Sequence, residues 1–236
     1  MNDDAAQFGR APYPWAAPAY FALYLGYLFY SLESELGHWL GLVAVPALLI
    51  VVALRAAGQP AGFAAVLRTF GLERGRFGFG VPLAIIVGAT LGAAQLLISQ
   101  QRDAFLELVT SGRALWLLPL ALAFTLLAAG FTEEFFFRGF LQNRLEQITS
   151  SRLAAVVLAS LAFGLYHLPY AYLNPHWPSA GDWGAAWGAA MGQGVIGGLI
   201  LGAVYLKAGR NLLAPVIVHA LIIAFPASTM IHFGPS

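Results

Sequence analysis

The hydrophobic positions of this chain fall into long, nearly uninterrupted runs. A helix that spans a bilayer needs roughly 20 predominantly apolar residues. Strands of a transmembrane barrel would instead alternate apolar and polar residues over about ten positions. The pattern therefore predicts an all-α fold, a polytopic transmembrane helical bundle of about seven spans. These are Ala16–Leu32, Gly37–Ala57, Phe79–Ser99, Ala114–Leu145, Leu153–Leu168, Trp183–Leu206 and Leu212–Ile231.

The segments between the apolar runs are too short for a soluble domain, so residues 1–236 are expected to form one integral-membrane domain. Ala61–Leu72 is short, mildly amphipathic and flanked by arginines, which favours a helix in the membrane interface. Tyr170–Trp183 contains Asn-Pro, Trp-Pro and a glycine, which are turn signals. We expect this stretch to form an outer loop.

Composition agrees with a location in the lipid bilayer. Hydrophobic residues make up 59% of the 236 residues and charged residues only 10%, whereas soluble domains carry about 25% charged residues. The formal net charge of +1 argues against nucleic acid as a partner. The chain has no cysteine, which excludes disulfides and thiolate chemistry.

The basic residues predict an orientation, since Lys and Arg concentrate in short cytoplasmic loops. With a cytoplasmic N-terminus and seven spans, all of the 12 Lys and Arg except Arg102 and Arg113 lie inside. The composition, rich in Ala, Gly and Arg, hints at a bacterial source. The expected location is therefore the bacterial inner membrane.

Charged side chains interrupt the most aromatic stretch, AGFTEEFFFRGFLQNRLE at residues 129–146. A charge deep in a bilayer is costly and by default indicates a functional site. Glu134 and Arg138 are spaced i, i+4 and share a helix face. Glu133 is rotated by about 100° from Glu134, so the two carboxylates need not have the same role.

A purely structural interpretation of this stretch stays open. Gly130 would allow the helix to break, and Thr132, Glu133 and Glu134 would then form a polar helix start. Arg138 would be the first cytoplasmic charge. In that case no charge would lie inside the membrane.

Two histidines lie in other predicted spans, His167 in the fifth and His219 in the seventh. A lone histidine in an apolar helix is usually a packing residue. Two imidazoles and a carboxylate pair on three spans, however, supply a base, polarising donors and possible metal ligands. Counted from the inner side, His167 lies at about 22 Å and Glu133 at about 16 Å. A later start of the fifth span, a tilt, or a distortion near Gly164 would bring the two residues to one depth. The remaining histidines are expected at the outer surface, namely His38, His176 and His232.

Two motifs at these positions resemble those of the CPBP family of intramembrane proteases, which includes CAAX-processing endopeptidases and bacterial Abi-type proteins. The Glu-Glu-x-x-x-Arg motif of the family is matched by Glu133, Glu134 and Arg138. Its Phe-x-x-x-His motif is matched by Phe163 and His167. The order and spacing of these motifs carry the resemblance.

The third family motif, His-x-x-x-Asn or His-x-x-x-Asp, is incomplete here. His219 is present, but Ile223 stands where the polar residue belongs. The resemblance implies that this polar residue helps to stabilise the anionic intermediate. Gln193 could replace it, His219 alone could suffice, or the activity could be reduced. The resemblance covers residues 114–225, which are expected to carry the catalytic core.

The resemblance implies an intramembrane endopeptidase that cleaves a membrane-associated or membrane-delivered protein or peptide. We assign Glu133 as the general base on a water shared with His167, and His219 to the oxyanion. Glu134 and Arg138 would form an ion pair that orients the motif helix. In a metalloprotease version, Glu133, His167 and His219 would hold Zn²⁺, which generates hydroxide near neutral pH.

Two other functions stay open at this point. A non-catalytic membrane protein of the same fold, such as an immunity or scaffold protein, would bind a peptide or a membrane protein, and the apolar Ile223 favours it slightly. A transporter or channel would use Glu133, Arg138 and the histidines as a relay. The gathering of polar residues near one depth argues against a path across the membrane.

Overall fold

A computed structural model of the chain describes residues 13–32, 34–69, 72, 80–98, 101–175 and 177–230. Within these ranges all regular secondary structure is helical. We number the helices α1 to α9 in chain order. They are Ala16–Tyr30, Glu35–Ala56, Phe63–Thr69, Gly80–Ile98, Arg102–Thr110, Ala114–Thr149, Arg152–Leu173, Trp183–Lys207 and Leu213–Met230.

Five helices of the described ranges are long and apolar enough to cross a membrane, namely α2, α4, α6, α7 and α8. The predicted all-α membrane fold is therefore confirmed. The predicted number of seven spans is not, because α1 has only 15 residues and the apolar part of α9 is also short.

Helix α6 changes its surroundings halfway along its length. Its first half exposes large apolar side chains such as Leu115, Phe124 and Leu127, as expected of a surface in contact with lipid. From residue 132 to residue 145 every residue is buried, because α1, α2, α7 and α8 pack around this half. Glu133, Glu134 and Arg138 thus lie in the most enclosed part of the bundle.

No break occurs in α6 at Gly130, so the interpretation of Thr132–Glu134 as a polar helix start is wrong. The helix continues through π-helical turns at Leu126–Phe131 and Phe135–Gln142, which occur frequently at functional sites. Gly130 serves close packing instead. A Cβ atom there would lie 2.9 Å from the carbonyl oxygen of Val216 on α9.

Helices α6 and α7 form an antiparallel hairpin that equalises the depths of Glu133 and His167. The turn is tight, since Ser150 adopts a left-handed conformation with a φ of 54°. Glu133 lies 16 residues before Thr149, and His167 lies 15 residues after Arg152. At a rise of 1.5 Å per residue both side chains are about 23 Å from the turn. The sequence predicted different depths for Glu133 and His167 because α6 ends later than the sequence suggested.

Two predicted connections differ in their bounds from the structure. Helix α7 continues to Leu173, so the predicted outer loop Tyr170–Trp183 begins as a helix and becomes a loop only at Asn174. Within the predicted interfacial segment Ala61–Leu72, residues 63–69 form α3.

A buried polar network fixes the end of α6 against the turn between α8 and α9. The side chain of Asn143 donates to the hydroxyl of Tyr205 at 2.9 Å and accepts from Arg210 at 3.0 Å. Arg210 also donates to both carboxylate oxygens of Glu146, at 2.7 and 2.8 Å. These bonds set the register of α6 relative to α8 and α9.

Helices α7 and α8 approach each other at glycines. A Cβ atom on Gly194 would lie 2.6 Å from the Cα atom of Gly164, and one on Gly198 would lie 2.9 Å from the Cα atom of Ser160. Contacts this short exist only because no side chain intervenes. The close approach also brings the backbone of α8 to the charged residues of α6.

We expect Gly194→Ala to destabilise the protein by about 1–3 kcal/mol, because the added methyl group overpacks the contact between α7 and α8. The matched control is Gly192→Ala, since a Cβ atom at Gly192 meets nothing within 4 Å. The control should leave stability unchanged or raise it slightly, as alanine favours helices. Thermal unfolding of both variants in detergent measures the difference, and equal midpoints would contradict the packing assignment.

Candidate active site

Three helices bring one carboxylate and two imidazoles together at the centre of the bundle. Glu133 projects from α6, His167 from α7 and His219 from α9. Oε2 of Glu133 lies 4.0 Å from Nε2 of His167 and 3.9 Å from Nε2 of His219. The candidate residues that the sequence placed on separate spans are therefore neighbours in the structure.

A second carboxylate, Glu134, connects this centre to a buried ion pair. Nδ1 of His219 donates to Oε1 of Glu134 at 2.8 Å. Arg138 contacts both carboxylate oxygens, with Nη1 3.1 Å from Oε1 and Nε 3.1 Å from Oε2. The remaining Nη2 of Arg138 donates to the carbonyl oxygen of Gly198 at 3.1 Å. The predicted i, i+4 pair thus forms, and it holds the ring of His219.

The hydrogen bonds at Nδ1 determine where the other nitrogen of each ring points. Nδ1 of His167 lies 2.8 Å from the carbonyl oxygen of Phe163, which can only accept, so Nδ1 carries the hydrogen. A neutral His167 then presents the lone pair of Nε2 to Glu133. In His219, Glu134 accepts from Nδ1 and likewise leaves Nε2 facing the centre.

The ring of Phe163 forms a shared wall of the site. Its centroid lies 4.6 Å from the ring of His167 and 5.8 Å from the ring of His219. The guanidinium carbon of Arg138 lies 4.4 Å from the same centroid, a cation–π contact. A phenylalanine four residues before His167 therefore orients three polar side chains at once.

Oε2 of Glu133 and Oε2 of Glu134 are buried without a hydrogen-bond partner among the described residues, but Oε2 of Glu134 lies 3.1 Å from Nε of Arg138. Buried polar atoms are normally satisfied, so Oε2 of Glu133 indicates room for a small polar molecule. A water with hydrogen bonds of about 2.8 Å fits between groups about 4 Å apart. The side chain of His167 is 21% exposed, against 11% for Glu133 and 10% for His219, so the centre opens on the His167 side.

The predicted zinc ligands do not form a metal site as they are placed. The described residues contain no group of three or more His, Asp or Glu side chains that could hold a metal ion. Tetrahedral zinc, with bonds of about 2.0–2.1 Å, brings its ligands to roughly 3.3 Å from one another. Glu133 lies 4.0 and 3.9 Å from the two imidazoles, a spacing that suits a hydrogen-bonded water better.

Sequence reasoning missed two residues near the carboxylate, Tyr166 and His38. The hydroxyl of Tyr166 lies 3.4 Å from Oε1 of Glu133 and 3.4 Å from Nε2 of His38. His38 was expected at the outer surface, but it packs against Tyr166 and Tyr170. The i, i+4 spacing of these two tyrosines on the helix of His167 was the available signal. His176 and His232 lie outside the described residues.

The position of the missing family residue is apolar in the structure as well. Ile223 lies one helical turn after His219 on α9 and is partly buried. Gln193, which the sequence offered as a replacement, is exposed on α8, so its side chain is turned away from the buried centre.

Comparison with known proteins finds one family. Residues 115–225 match the family model described as type II CAAX prenyl endopeptidase Rce1-like. No curated protein and no solved structure gives a significant match. The matched range contains the clustered residues Glu133, Glu134, Arg138, His167 and His219.

Replacing Arg138 by methionine should destabilise the protein by about 3–5 kcal/mol, because the charge of Glu134 would remain buried without its counter-ion. The matched control is Arg113→Met, which removes an exposed arginine whose Nη2 lies 3.2 Å from Glu107. Exposed pairs contribute only about 0–1 kcal/mol. Thermal unfolding in detergent compares the two variants, and similarly small shifts would show that the buried pair does not hold the site together.

Proposed function

Because residues 115–225 match the family model of Rce1-like type II CAAX prenyl endopeptidases, we propose that the chain is an intramembrane endopeptidase of this family. It hydrolyses a peptide bond of a membrane-associated or membrane-delivered protein or peptide. The observation that carries this proposal is that Oε2 of Glu133 lies 4.0 and 3.9 Å from the Nε2 atoms of His167 and His219, a spacing that suits one hydrogen-bonded water. The distribution of Lys and Arg supports a cytoplasmic N-terminus, and the composition rich in Ala, Gly and Arg favours a bacterial inner membrane.

Glu133 acts as the general base. A water between the three groups donates one hydrogen to Oε2 of Glu133 and the other to Nε2 of His167. As Glu133 takes its proton, the water oxygen attacks the carbonyl carbon of the scissile bond, and the carbonyl oxygen becomes an oxyanion. The protonated Glu133 then gives this proton to the leaving nitrogen when the C–N bond breaks.

His219 stabilises the oxyanion. In its imidazolium form it keeps the Nδ1 hydrogen on Glu134, at 2.8 Å, and presents the Nε2 hydrogen to the carbonyl oxygen. A preorganised donor of this kind is usually the largest single contribution in acyl transfer. Because Ile223 supplies no polar group, this chain depends on His219 for the role more than relatives with the complete motif.

Glu134 and Arg138 do not face the reacting atoms. They are positioning residues, since Glu134 fixes the ring of His219 and Arg138 fixes Glu134 through two contacts of 3.1 Å. Arg138 also anchors this unit to the carbonyl oxygen of Gly198 on α8. The pair on α6 is thereby tied to two other helices, α8 and α9.

The apolar side chain of Ile223 favours one second candidate function, a non-catalytic immunity or scaffold protein of the same fold. Such a protein would bind a peptide at the same centre without cleaving it. Its activity in cells would then survive the loss of the general base.

Glu133→Gln should abolish cleavage while the protein still inserts and folds, because the amide cannot accept a proton from water. Quantitative mass spectrometry of membrane peptides compares cells that carry wild-type protein with cells that carry the variant. Glu107→Gln is the matched control, since Glu107 is exposed and lies far from the centre in sequence. Products that persist at wild-type levels with Glu133→Gln would leave only the non-catalytic function.

Removal of metal ions distinguishes the mechanism in which Glu133 activates a free water from the one in which Zn²⁺ activates it. We expect purified protein to keep its activity after dialysis against a strong chelator, because the spacing of Glu133 from the two imidazoles suits water. Elemental analysis of the dialysed sample confirms that the metal is gone. Activity that is lost on chelation and restored by Zn²⁺ would establish the metal-dependent version, with Glu133, His167 and His219 as the ligands.

A further inference from the structure

A chain of hydrogen bonds leads from Glu133 to helix α2, away from the imidazoles of the centre. The hydroxyl of Tyr166 lies 3.4 Å from Oε1 of Glu133 and 3.4 Å from Nε2 of His38. On the other side of the ring, Nδ1 of His38 lies 2.7 Å from the hydroxyl of Tyr170 and 3.2 Å from that of Tyr24. His38 is thus held between three tyrosines, one of which contacts the proposed base.

With a neutral His38, the following arrangement of hydrogens satisfies these bonds when Glu133 is ionised. A carboxylate can only accept, so Tyr166 gives its single hydrogen to Oε1 of Glu133. The oxygen of Tyr166 is then left to accept from His38, which must carry its hydrogen on Nε2. Nδ1 of His38 consequently accepts from Tyr170, in the shortest bond of the chain, 2.7 Å.

We propose that His38 is a positioning residue for the hydrolysis. As the Nε2–H tautomer it fixes the hydroxyl of Tyr166, which in turn holds Oε1 of Glu133. The other oxygen, Oε2, is thereby directed to the water between His167 and His219. This inference rests on the proposed function, and it assigns a role to a residue outside the matched range of residues 115–225.

Burial and ring packing make this chain of hydrogen bonds suitable for positioning Glu133. Tyr166 is only 2% exposed, and its ring lies 5.0 Å from that of His167 and 6.1 Å from that of His38. The two bonds of Tyr166 are long, since hydroxyl donors usually lie about 2.7–2.8 Å from their acceptors. Catalytic hydrogen bonds of this kind commonly tighten when substrate binds.

Steady-state kinetics on a cleaved membrane peptide tests the role. His38→Ala and Tyr166→Phe should each lower kcat about tenfold, the effect of one misplaced hydrogen bond in the transition state, with KM changed by less than about twofold. His38→Gln should recover most of the lost kcat, because its amide can donate to Tyr166 from the same side. Tyr172→Phe is the matched control, since its ring stacks on Trp183, 3.9 Å away, outside the chain of bonds.

A merely structural role for His38 predicts different results. The alanine and glutamine variants would then have equal kcat, or the loss would appear in KM. Either outcome overturns the inference. If Glu133→Gln abolishes cleavage but His38→Ala leaves kcat unchanged, His38 has no positioning role and the proposed function stands. If Glu133→Gln leaves cleavage intact, the proposed function fails first.

Nitrogen NMR of the folded protein tests the hydrogen arrangement without any substrate. In protein labelled with ¹⁵N at histidine, His38 should be the Nε2–H tautomer, and its signal is identified by its loss in His38→Gln. His167 should show the opposite tautomer, Nδ1–H, because it donates to Phe163. Tyr166→Phe should shift the Nε2 signal of His38. A His38 ring with its hydrogen on Nδ1 would overturn the proposal whatever the kinetics show.

Discussion

The arrangement of the centre depends on one buried interaction, the contact of Glu134 with Arg138 on one side and His219 on the other. Every member is almost fully enclosed, and Glu134 is completely buried. An unpaired charge at such a place would destabilise the bundle strongly, so the three groups constrain one another. Because Arg138 also binds the backbone of α8, a single carboxylate fixes the relative positions of α6, α8 and α9.

The aromatic residues around these charges follow from the same constraint. The second half of α6 is buried on all sides, and water there would weaken the electrostatic contacts. Phe163 excludes water while its ring face still attracts Arg138, at 4.4 Å. The aromatic surroundings therefore strengthen the ion pair of Glu134 and Arg138. His167 has the most exposed side chain of the three central residues, at 21%, so the proposed mechanism brings water and substrate to the centre from its side.

In the proposed mechanism the two carboxylates differ in role because they differ in partners. Arg138 lies 3.1 Å from each carboxylate oxygen of Glu134, whereas Oε2 of Glu133 has, among the described residues, only the two imidazoles nearby, at 4.0 and 3.9 Å. Glu134 is therefore assigned to positioning, and Glu133 to taking the proton. The contact of Tyr166 with Oε1 of Glu133 extends this division to α2, which contributes His38 from outside the matched family domain.

The sequence by itself determined the helical membrane class, the pairing of Glu134 with Arg138 and the candidate acid and imidazoles, because apolar length and the spacing i, i+4 are local properties of a helix. Only the tertiary structure decided that α6 passes unbroken through Gly130 and that His38 faces inward. Both depend on how closely neighbouring helices pack. The tertiary structure also decided that Glu133 and His167 lie at the same depth, because this depends on where α6 ends. A shift of a few residues at the hairpin turn would move every side chain beyond it. No local sequence pattern marks that end.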